Sequence, residues 1–334
     1  MQLLRNIITN HQYGTYTEYI MEIVIGIVVL NYRREELTIR CVKSLALQQG
    51  VIMRIVIVDN ASDDEEYSRL IDGLKKLNVN YYNVIRNTDN LGFARGMNLG
   101  IDYLRKHSCN YIFLANSDLV FENTDILFEL ISESIPMTEN PDSNIAIINP
   151  FIVNPNGEVQ EGIHFSKTLT RLHMWKTQFP LIDRISQYFK TVHRRNTGNK
   201  EESSISCRNY KNQKYASKEA YIDNRYKVVG CGFVLTPAFF KHFSGLFAGT
   251  FLYNEEYTTI LLLKSVGLQT MTVITNPILH IHAASTSIVE KNTDDFQKRI
   301  HIGKRAFLKL LLMTDAEVRR RYDIKYKNMR NRDE

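Results

Sequence analysis

Short apolar runs alternate with longer amphipathic stretches from residue 23 to residue 148. The first run is β-branched almost throughout, which is typical of a buried strand. Runs of this kind predict strands at 23–30, 54–58, 81–86, 111–115 and 145–148. Apolar residues three or four positions apart predict helices at 37–45, 67–77, 96–106 and 124–135. This alternation predicts an α/β fold with right-handed crossovers and a mainly parallel sheet covered on both faces.

The polar residues that follow the predicted strands form the first candidate site, because ligands of such sheets bind outside the carboxyl ends of the strands. Three groups meet this condition, at 31–33, 59–62 and 116–118. Asp59, after the second strand, is placed to accept hydrogen bonds from a nucleoside. Helix capping is the alternative role for Asp59 and Ser62, because such side chains satisfy the first amides of a helix.

Asp118 is the last residue of the third group and follows a buried strand. Mg²⁺ takes oxygen ligands and typically uses one or two carboxylates together with substrate phosphates. A single carboxylate here could therefore hold a cation that also bridges a diphosphate. A strand-ending turn is the alternative role for the Asn-Ser-Asp sequence.

A glycine-rich segment, 90–100, lies between the third predicted strand and the next helix. Gly92 and Gly96 allow the backbone to approach a ligand closely, and Arg95 could face a phosphate. A plain loop leading into a helix is the alternative. The segment lacks the glycine spacing of a dinucleotide site and the Lys-Ser/Thr of a P-loop, which disfavours those two nucleotide classes.

The periodic pattern is lost from about 151 to 225 and returns at Val228. Within this stretch, 167–190 is interpreted as an amphipathic helix and 194–218 as a mobile loop. An apolar helix is then predicted at 260–266, and the chain ends in a helix around 293–322.

Two pairs of side chains in this second half could carry chemistry. Glu255 and Glu256 precede the apolar helix, and burial side by side would raise a carboxyl pKa toward the range of a general base. Stabilisation of the helix dipole is the alternative role. His280 and His282 share one face of an extended segment and could ligate a metal, whereas most such pairs are packed or solvated.

The composition is that of a folded globular protein. Of 334 residues, 44% are hydrophobic and 23% charged, which suffices for a core and excludes collagen-like or wholly disordered chains. The longest apolar run, 20–30, is too short to span a bilayer, and no secretory signal is recognised. The four cysteines lie far apart without metal-type spacing, so we expect no disulfide framework and a cytoplasmic location.

The net charge of +6 is concentrated at the end of the chain. Residues 319–334 hold seven basic and three acidic side chains, a net charge of +4. This tail is either a solvated end or a surface attracted to anionic membranes, where each basic residue is worth about 1 kcal/mol. Nucleic acid is not an expected partner, because no recognised binding motif accompanies the charge.

The order and spacing of these segments resemble the family 2 glycosyltransferases, in particular the rhamnosyltransferase-like and capsular or O-antigen enzymes. The matching segments are 27–32 (IVVLNY), 57–62 (IVDNAS), 90–98 (NLGFARGMN), 114–118 (LANSD), 230–235 (GCGFVL), 251–256 (FLYNEE) and His280. Any one of them is weak evidence, but seven in the right order are strong. The resemblance implies a GT-A fold, with a Rossmann-like, mainly parallel sheet flanked by helices, an acceptor-side insertion and a helical tail.

The resemblance also implies roles for individual residues. A nucleotide-sugar donor would be bound by Asn31, Tyr32, Asp59, Asn60, Asn90, Gly92, Arg95, Asn98, Asn116, Ser117 and Asp118. The family's Asp-x-Asp metal motif falls on 116–118, so Asp118 with His280 would hold Mg²⁺ or Mn²⁺. The acidic pair that ends in the catalytic base falls on Glu255 and Glu256, and position favours Glu256. The chain departs from the family pattern at Thr258, where an acid is usual, and at Leu262, where an arginine is usual.

Five regions are predicted on this basis. They are an N-terminal extension at 1–21, a nucleotide-sugar-binding half at 22–150, a variable insertion with acceptor contacts at 151–225, an acceptor and catalytic half at 226–290, and a C-terminal helix with a basic tail at 291–334.

The predicted activity is inverting hexosyl transfer from a dTDP-rhamnose or UDP-hexose class donor to a hydroxyl of a growing, lipid-linked surface glycan. The expected location is the cytoplasm, at the inner face of the membrane through peripheral contact, and a homodimer is a candidate assembly. A sugar-phosphate nucleotidyltransferase is one alternative function. A catalytically degenerate scaffold that binds nucleotide or a partner transferase is the other.

Overall fold

The computed structural model describes residues 4–11, 14–21, 23–77, 79, 81–163, 218–223, 226–281 and 294–330. At 4–21 and 323–330 it describes the backbone alone. The predicted helix at 167–190 lies outside the described residues, and so does the predicted loop at 194–218 apart from Lys218. His282 also lies outside them.

Strand and helix alternate through the first half of the chain as predicted. A hairpin of β1 (Leu4–His11) and β2 (Gly14–Met21) forms a separate two-stranded sheet ahead of this region. The following elements are β3 (Val24–Asn31), α1 (Glu35–Leu45), β4 (Ile52–Asp59), α2 (Asp64–Lys76), β5 (Tyr82–Arg86), α3 (Phe93–Lys106), β6 (Tyr111–Asn116), β7 (Leu119–Val120), α4 (Ile126–Thr138) and β8 (Ile145–Val153).

The second half contributes shorter strands and the remaining helices. They are β9 (Glu219–Ile222), β10 (Gly232–Leu235), α5 (Pro237–Phe240), α6 (Glu255–Ser265), β11 (Gln269–His280), α7 (Asp294–Leu312) and α8 (Asp315–Arg330). The single terminal helix predicted at 293–322 is therefore two helices. The break has a local cause, because Thr314 starts the second helix with a capping box: Thr314 N donates to Glu317 Oε2 at 2.8 Å, and Glu317 N donates to Thr314 Oγ1 at 3.3 Å.

The large sheet has nine strands in the order β5-β4-β3-β6-β10-β8-β11-β7, and β9 pairs with β11 beside this path. Strands β5, β4, β3 and β6 are parallel to one another. Strand β10 runs antiparallel to both of its neighbours, β6 and β8, and β11 is parallel to β8 but antiparallel to β7 and β9. The predicted α/β class is confirmed, but the sheet is mixed: β10 runs antiparallel between the parallel group β5-β4-β3-β6 and the parallel pair β8-β11.

Helices cover both faces of the sheet, and alternate residues of one strand supply the two halves of the core. Ile25, Ile27 and Val29 of β3 pack with buried residues of α1, α2 and α4. Val28 points to the other face, which α3, α6 and α7 cover. The central strands are buried on both faces, which explains why β3, β6 and β8 are near-continuous hydrophobic runs. Among the described helices, none combines the length and the hydrophobicity needed to cross a membrane.

Candidate active site

A cavity of about 430 Å³ opens at the carboxyl ends of β3, β4 and β6. It brings together most of the residues singled out in the sequence. Those that line it are Tyr32, Asn60, Asn90, Gly92, Asn116, Ser117, Asp118, Glu255, Glu256 and His280. Four others, Asn31, Asp59, Arg95 and Asn98, do not belong to its lining.

Asp59 lies beneath the cavity and is fully buried. Its Oδ1 accepts hydrogen bonds from Asn31 Nδ2 at 2.7 Å and from Ser62 Oγ at 2.6 Å. Ser62 Oγ in turn accepts from the backbone N–H of Arg33 at 3.0 Å. The parallel register pairs Asn31 with Asp59, which is why these groups meet. The carboxylate therefore holds the ends of β3 and β4 together, and its predicted contact with a nucleoside stays a prediction.

Asn60 fixes the glycine-rich segment at the rim of the cavity. Its Oδ1 accepts from the backbone N–H of Leu91 at 3.0 Å, and its Nδ2 donates to Asn90 Oδ1 at 2.8 Å. Asn90 Oδ1 also accepts from the backbone N–H of Gly92 at 2.9 Å. Gly92 has φ +79°, and a Cβ there would collide with the carbonyl oxygen of Phe251. Glycine is required at 92 for both its backbone conformation and this close contact.

Arg95 and Asn98 lie on the side of α3 that faces the segment 246–248. Arg95 Nε donates to the carbonyl of Ala248 at 3.0 Å. Asn98 makes two hydrogen bonds with the backbone of Leu246, at 2.9 and 2.7 Å. These side chains thus join the helix after the glycine-rich segment to the second half of the chain. Their predicted contact with the donor stays a prediction.

Asp118 and His280 meet because β7 pairs with the end of β11. Leu119 lies opposite His280, and the backbone N–H of Ile281 donates to the carbonyl of Asp118 at 3.0 Å. His280 Nε2 consequently lies 3.2 Å from Asp118 Oδ1. His280 Nδ1 lies 3.1 Å from Gln160 Oε1, an acceptor that favours a proton on Nδ1. In that tautomer Nε2 faces Asp118 and could serve as a ligand of a cation.

These two side chains fit a divalent cation. Asp118 Oδ1 is buried and makes no hydrogen bond to the described residues beyond its 3.2 Å contact with His280 Nε2, so both atoms could be ligands of one cation. Carboxylate oxygen and imidazole nitrogen are both ligands of Mn²⁺, and Mg²⁺ prefers the carboxylate. No group of three or more His, Cys, Asp or Glu side chains that could hold a metal occurs within the described ranges. The pair would therefore share a cation with other ligands.

The acidic pair begins α6 directly after two residues with left-handed backbone. Tyr253 has φ +65° and Asn254 has φ +76°. Such conformations are uncommon for residues other than glycine and cluster at functional sites. The turn places Glu255 and Glu256 in the first turn of α6, facing the cavity.

The two glutamates differ in environment. Glu255 is 7% exposed, and burial, followed by the charge of Glu256, raises the pKa of Glu255 to about 7. Burial also raises the pKa of Glu256. The carboxylate of Glu256 rests against Gly230, where a Cβ would occupy the position of its Oε1. Burial therefore disfavours the charged form of both carboxyl groups.

The two departures from the family pattern are buried side chains of α6. Thr258 Oγ1 donates to the carbonyl of Glu255 at 3.0 Å, inside the first turn of the helix. Leu262 belongs to the apolar core on the α3 side of the sheet. Neither residue lines the cavity.

The sequence analysis gave no specific role to several residues of the cavity wall, among them Arg33, Gln160 and Phe296. Arg33 follows Tyr32 in the first polar group, and this position was the sequence signal that it lies near the site. Its backbone is left-handed, with φ +51°. Gln160 and Phe296 lie in segments with no recognisable motif. Both reach the cavity by tertiary packing.

Residues 26–157 match the family model described as glycosyl transferase family 2. The match covers 132 of the 334 residues and is therefore a similarity of this segment to the family. The predicted resemblance to the family 2 glycosyltransferases is confirmed over this segment, and the match supports the predicted enzyme class. The family 2 segment includes β3 to β8 and Asp118, whereas Glu255, Glu256 and His280 lie outside it. No protein of curated function matches the chain.

Solved structures similar to this chain include three glycosyltransferases. GalNAc-T7 with UDP, GalNAc and Mn²⁺ has 12% identity and a TM-score of 0.49, over 79% of this chain and 45% of that one. The mannosyltransferase PcManGT from Pyrobaculum calidifontis, with GDP-Man and Mn²⁺, has 11% identity and a TM-score of 0.46, over 88% and 73%. S. aureus TarS has 16% identity and a TM-score of 0.32, over 44% and 25%. The chain thus spans a quarter of TarS and under half of GalNAc-T7.

Proposed function

We propose that the chain transfers a glycosyl group from a nucleoside diphosphate sugar to a hydroxyl of a glycan acceptor, with inversion at the anomeric carbon. The observation that carries the proposal is that Asp118 lines the same cavity as Glu255 and Glu256, although it lies far from this pair in the sequence. The family assignment supports glycosyl transfer in general. A volume of about 430 Å³ is also in the range of small-molecule sites.

The donor would occupy the side of the cavity formed by the first half of the chain. Tyr32, Asn60 and Asn90 offer an aromatic ring and amide groups for the nucleoside, and 116–118 lies nearest to the proposed cation. Asp118 and His280 would hold Mg²⁺ or Mn²⁺. When bound, the cation would supply positive charge to the departing diphosphate.

Glu256 would act as the base on the acceptor side. It removes the proton of the acceptor hydroxyl while that oxygen forms a bond to the anomeric carbon. The bond from this carbon to the diphosphate oxygen breaks, and the diphosphate leaves with the electron pair. Burial raises the pKa of Glu256, which makes its carboxylate a stronger base than a solvated glutamate. One displacement inverts the configuration, whereas retention by two displacements would need a nucleophile as well.

A panel of UDP-, GDP- and dTDP-sugars tests the proposal, first by thermal stabilisation with Mn²⁺ or Mg²⁺. A ligand that binds the native state raises apparent stability, so the panel identifies the donor without knowledge of the acceptor. Release of nucleoside diphosphate from that donor then measures turnover. Release of pyrophosphate from a nucleoside triphosphate and a sugar phosphate would instead support a nucleotidyltransferase.

Glu256→Gln should reduce turnover at least 100-fold while donor affinity changes less than threefold. The exposed Glu65→Gln is a matched control that should leave both unchanged. If Glu256→Gln turns over the donor at the wild-type rate, Glu256 is not the catalytic base. Donor binding without any release of diphosphate by the wild type would favour the scaffold alternative.

A lipid-linked acceptor and peripheral membrane contact are part of the proposal and need a separate test. Deletion of the tail from 319 is a poor test, because Tyr322 is buried against Phe243, with ring centroids 4.9 Å apart. Arg320 and Arg321 are exposed, so their replacement by glutamate changes the charge without removing core contacts. We expect this double variant to co-sediment less with vesicles containing phosphatidylglycerol. Equal sedimentation of both proteins would count against membrane contact through this surface.

A further inference from the structure

Helix α7 forms a wall of the cavity although it lies far from the matched family segment 26–157. Its third residue, Phe296, lines the cavity. The ring of Phe296 packs edge-on against Phe251, with centroids 6.0 Å apart. Phe251 begins the 251–256 segment, which ends in the acidic pair. Phe296 of α7 is therefore part of the same cavity surface as the proposed catalytic side chains.

Arg299 lies one turn further along α7 and contacts two other loops. Its Nη1 donates to the carbonyl oxygen of Asn90 at 2.7 Å, and its guanidinium lies 5.4 Å from the centre of the Phe251 ring. Its Nε pairs with Asp295 at 2.7 Å, which fixes the orientation of the guanidinium. A planar guanidinium with directed N–H groups can make these contacts at once, which the point charge of a lysine cannot.

The two loops that Arg299 contacts are also bonded directly to each other. The backbone N–H of Phe93 donates to the carbonyl of Phe251 at 2.9 Å, beside the close approach of Gly92 to the same carbonyl. Gly303 of α7 packs against this backbone from the other side, since a Cβ there would lie 3.2 Å from Phe251 N. The glycine-rich segment, the 251–256 segment and α7 thus meet around Phe251.

We infer that α7 completes the active site: Phe296 contacts the sugar group of the donor, and Arg299 is a positioning residue for both loops. The inference rests on the proposed function. An aromatic ring in the cavity wall gives the C–H groups of a sugar an apolar surface, and it would contribute to affinity for the nucleotide sugar but not for the free nucleotide. Arg299 acts through the Asn90 carbonyl and the Phe251 ring, so its loss should affect both sides of the cavity.

The test for Phe296 compares free nucleotide with nucleotide sugar by calorimetry in Mn²⁺. The probes are UDP, GDP and dTDP, together with the sugar conjugate that stabilises the wild type. Phe296→Leu should weaken binding of the sugar conjugate at least fivefold and change binding of the matching free nucleotide less than twofold. Phe296→Tyr keeps the ring and should bind both as the wild type does. Equal losses for both ligands, or no loss for either, would overturn the contact.

The test for Arg299 uses Arg299→Ala and Arg299→Lys, with the exposed Arg305→Ala of the same helix as the control. Arg299→Ala should lower kcat for diphosphate release at least tenfold and leave α7 folded. Arg299→Lys should recover part of the loss, and Arg305→Ala should stay within twofold of the wild type. A loss of thermal stability alone, with unchanged kcat and KM, would show a purely structural role and refute the inference.

Hydrogen exchange separates failure of this inference from failure of the proposed function. The Phe93 amide should exchange at least tenfold faster in Arg299→Ala than in the wild type, while amides of β3 keep their protection. This readout needs no substrate and holds even if no nucleotide sugar is turned over. Unchanged exchange at Phe93 would overturn the positioning role even in an active transferase.

Discussion

Replacement of Glu255 by glutamine should make the stability of the fold less dependent on pH. Glu255 is 7% exposed, and its Oε1 has no hydrogen-bond partner among the described residues. Burial and the neighbouring Glu256 raise the pKa of Glu255 from 4.5 to about 7. The native state therefore holds this proton more tightly than the unfolded chain does. Glutamine has nearly the same shape and carries no charge at any pH.

The sign and size of the effect follow from the two pKa values. The contribution of Glu255 to stability is fully present below pH 4.5 and is lost as pH rises toward 7, because the unfolded chain releases its proton first. One pKa unit corresponds to about 1.4 kcal/mol, so about 2 to 3 kcal/mol should disappear between pH 5 and pH 8. Above pH 8 this contribution changes no further.

Urea denaturation at pH 5 and pH 8 measures the effect directly. We compare the free energy of unfolding of Glu255→Gln with that of the wild type at each pH. The difference, variant minus wild type, should be larger at pH 8 than at pH 5 by about 2 to 3 kcal/mol, because only the wild type loses stability over this range. Glu65→Gln replaces an exposed glutamate and should show no such difference. If both variants follow the wild-type pH profile, Glu255 is not a buried carboxyl with a raised pKa, and the description of the pair is wrong.

Three further changes probe the cavity and the packing of the C-terminal helices. Gly230→Ala places a methyl group where the Glu256 carboxylate lies, so turnover should fall at least 100-fold while calorimetry finds nucleotide affinity within threefold of the wild type. We expect Mn²⁺ to strengthen nucleotide binding by the wild type and to have no such effect on Asp118→Asn, and titration with and without EDTA measures the difference. Tyr322→Phe removes the hydroxyl that donates to the carbonyl of Gly245, and urea denaturation should show a loss of about 1 kcal/mol. Unchanged values in any of these assays would contradict the contact concerned.

The fold of the first half could be predicted because its strands are buried on both faces. A run such as 23–30 is apolar at nearly every position, and the amphipathic helices between the strands carry the 3.6-residue period. Strand β11 has no comparable signal. It contains Pro277, which lies within the irregular register between Val273 and Ile278, and a proline argues against a strand. The position of β10 in the sheet depends on its pairing with β8, more than 80 residues earlier in the chain. The periodicity of the sequence predicts single strands and helices but not which distant strands pair.

The candidate site was predictable where a motif follows a strand and less so where side-chain direction matters. Asp118 and Asn60 reach the cavity from the ends of β6 and β4, as the rule for such sheets implies. Asp59 precedes Asn60 and is turned into the protein, because successive side chains of a strand alternate in direction. Phe296 reaches the cavity through the packing of α7; the sequence predicts this helix but does not show that it packs against the cavity.

The position of β10 has a consequence for how the molecule can form. This four-residue strand, from outside the matched family segment, lies between β6 and β8, which both belong to that segment. A polypeptide ending at residue 157 would leave β6 with an open edge and β8 without its partner on that side. During synthesis the sheet can close only after residue 235 has emerged from the ribosome, so the family segment is half of a cooperative unit and should not fold as an independent domain.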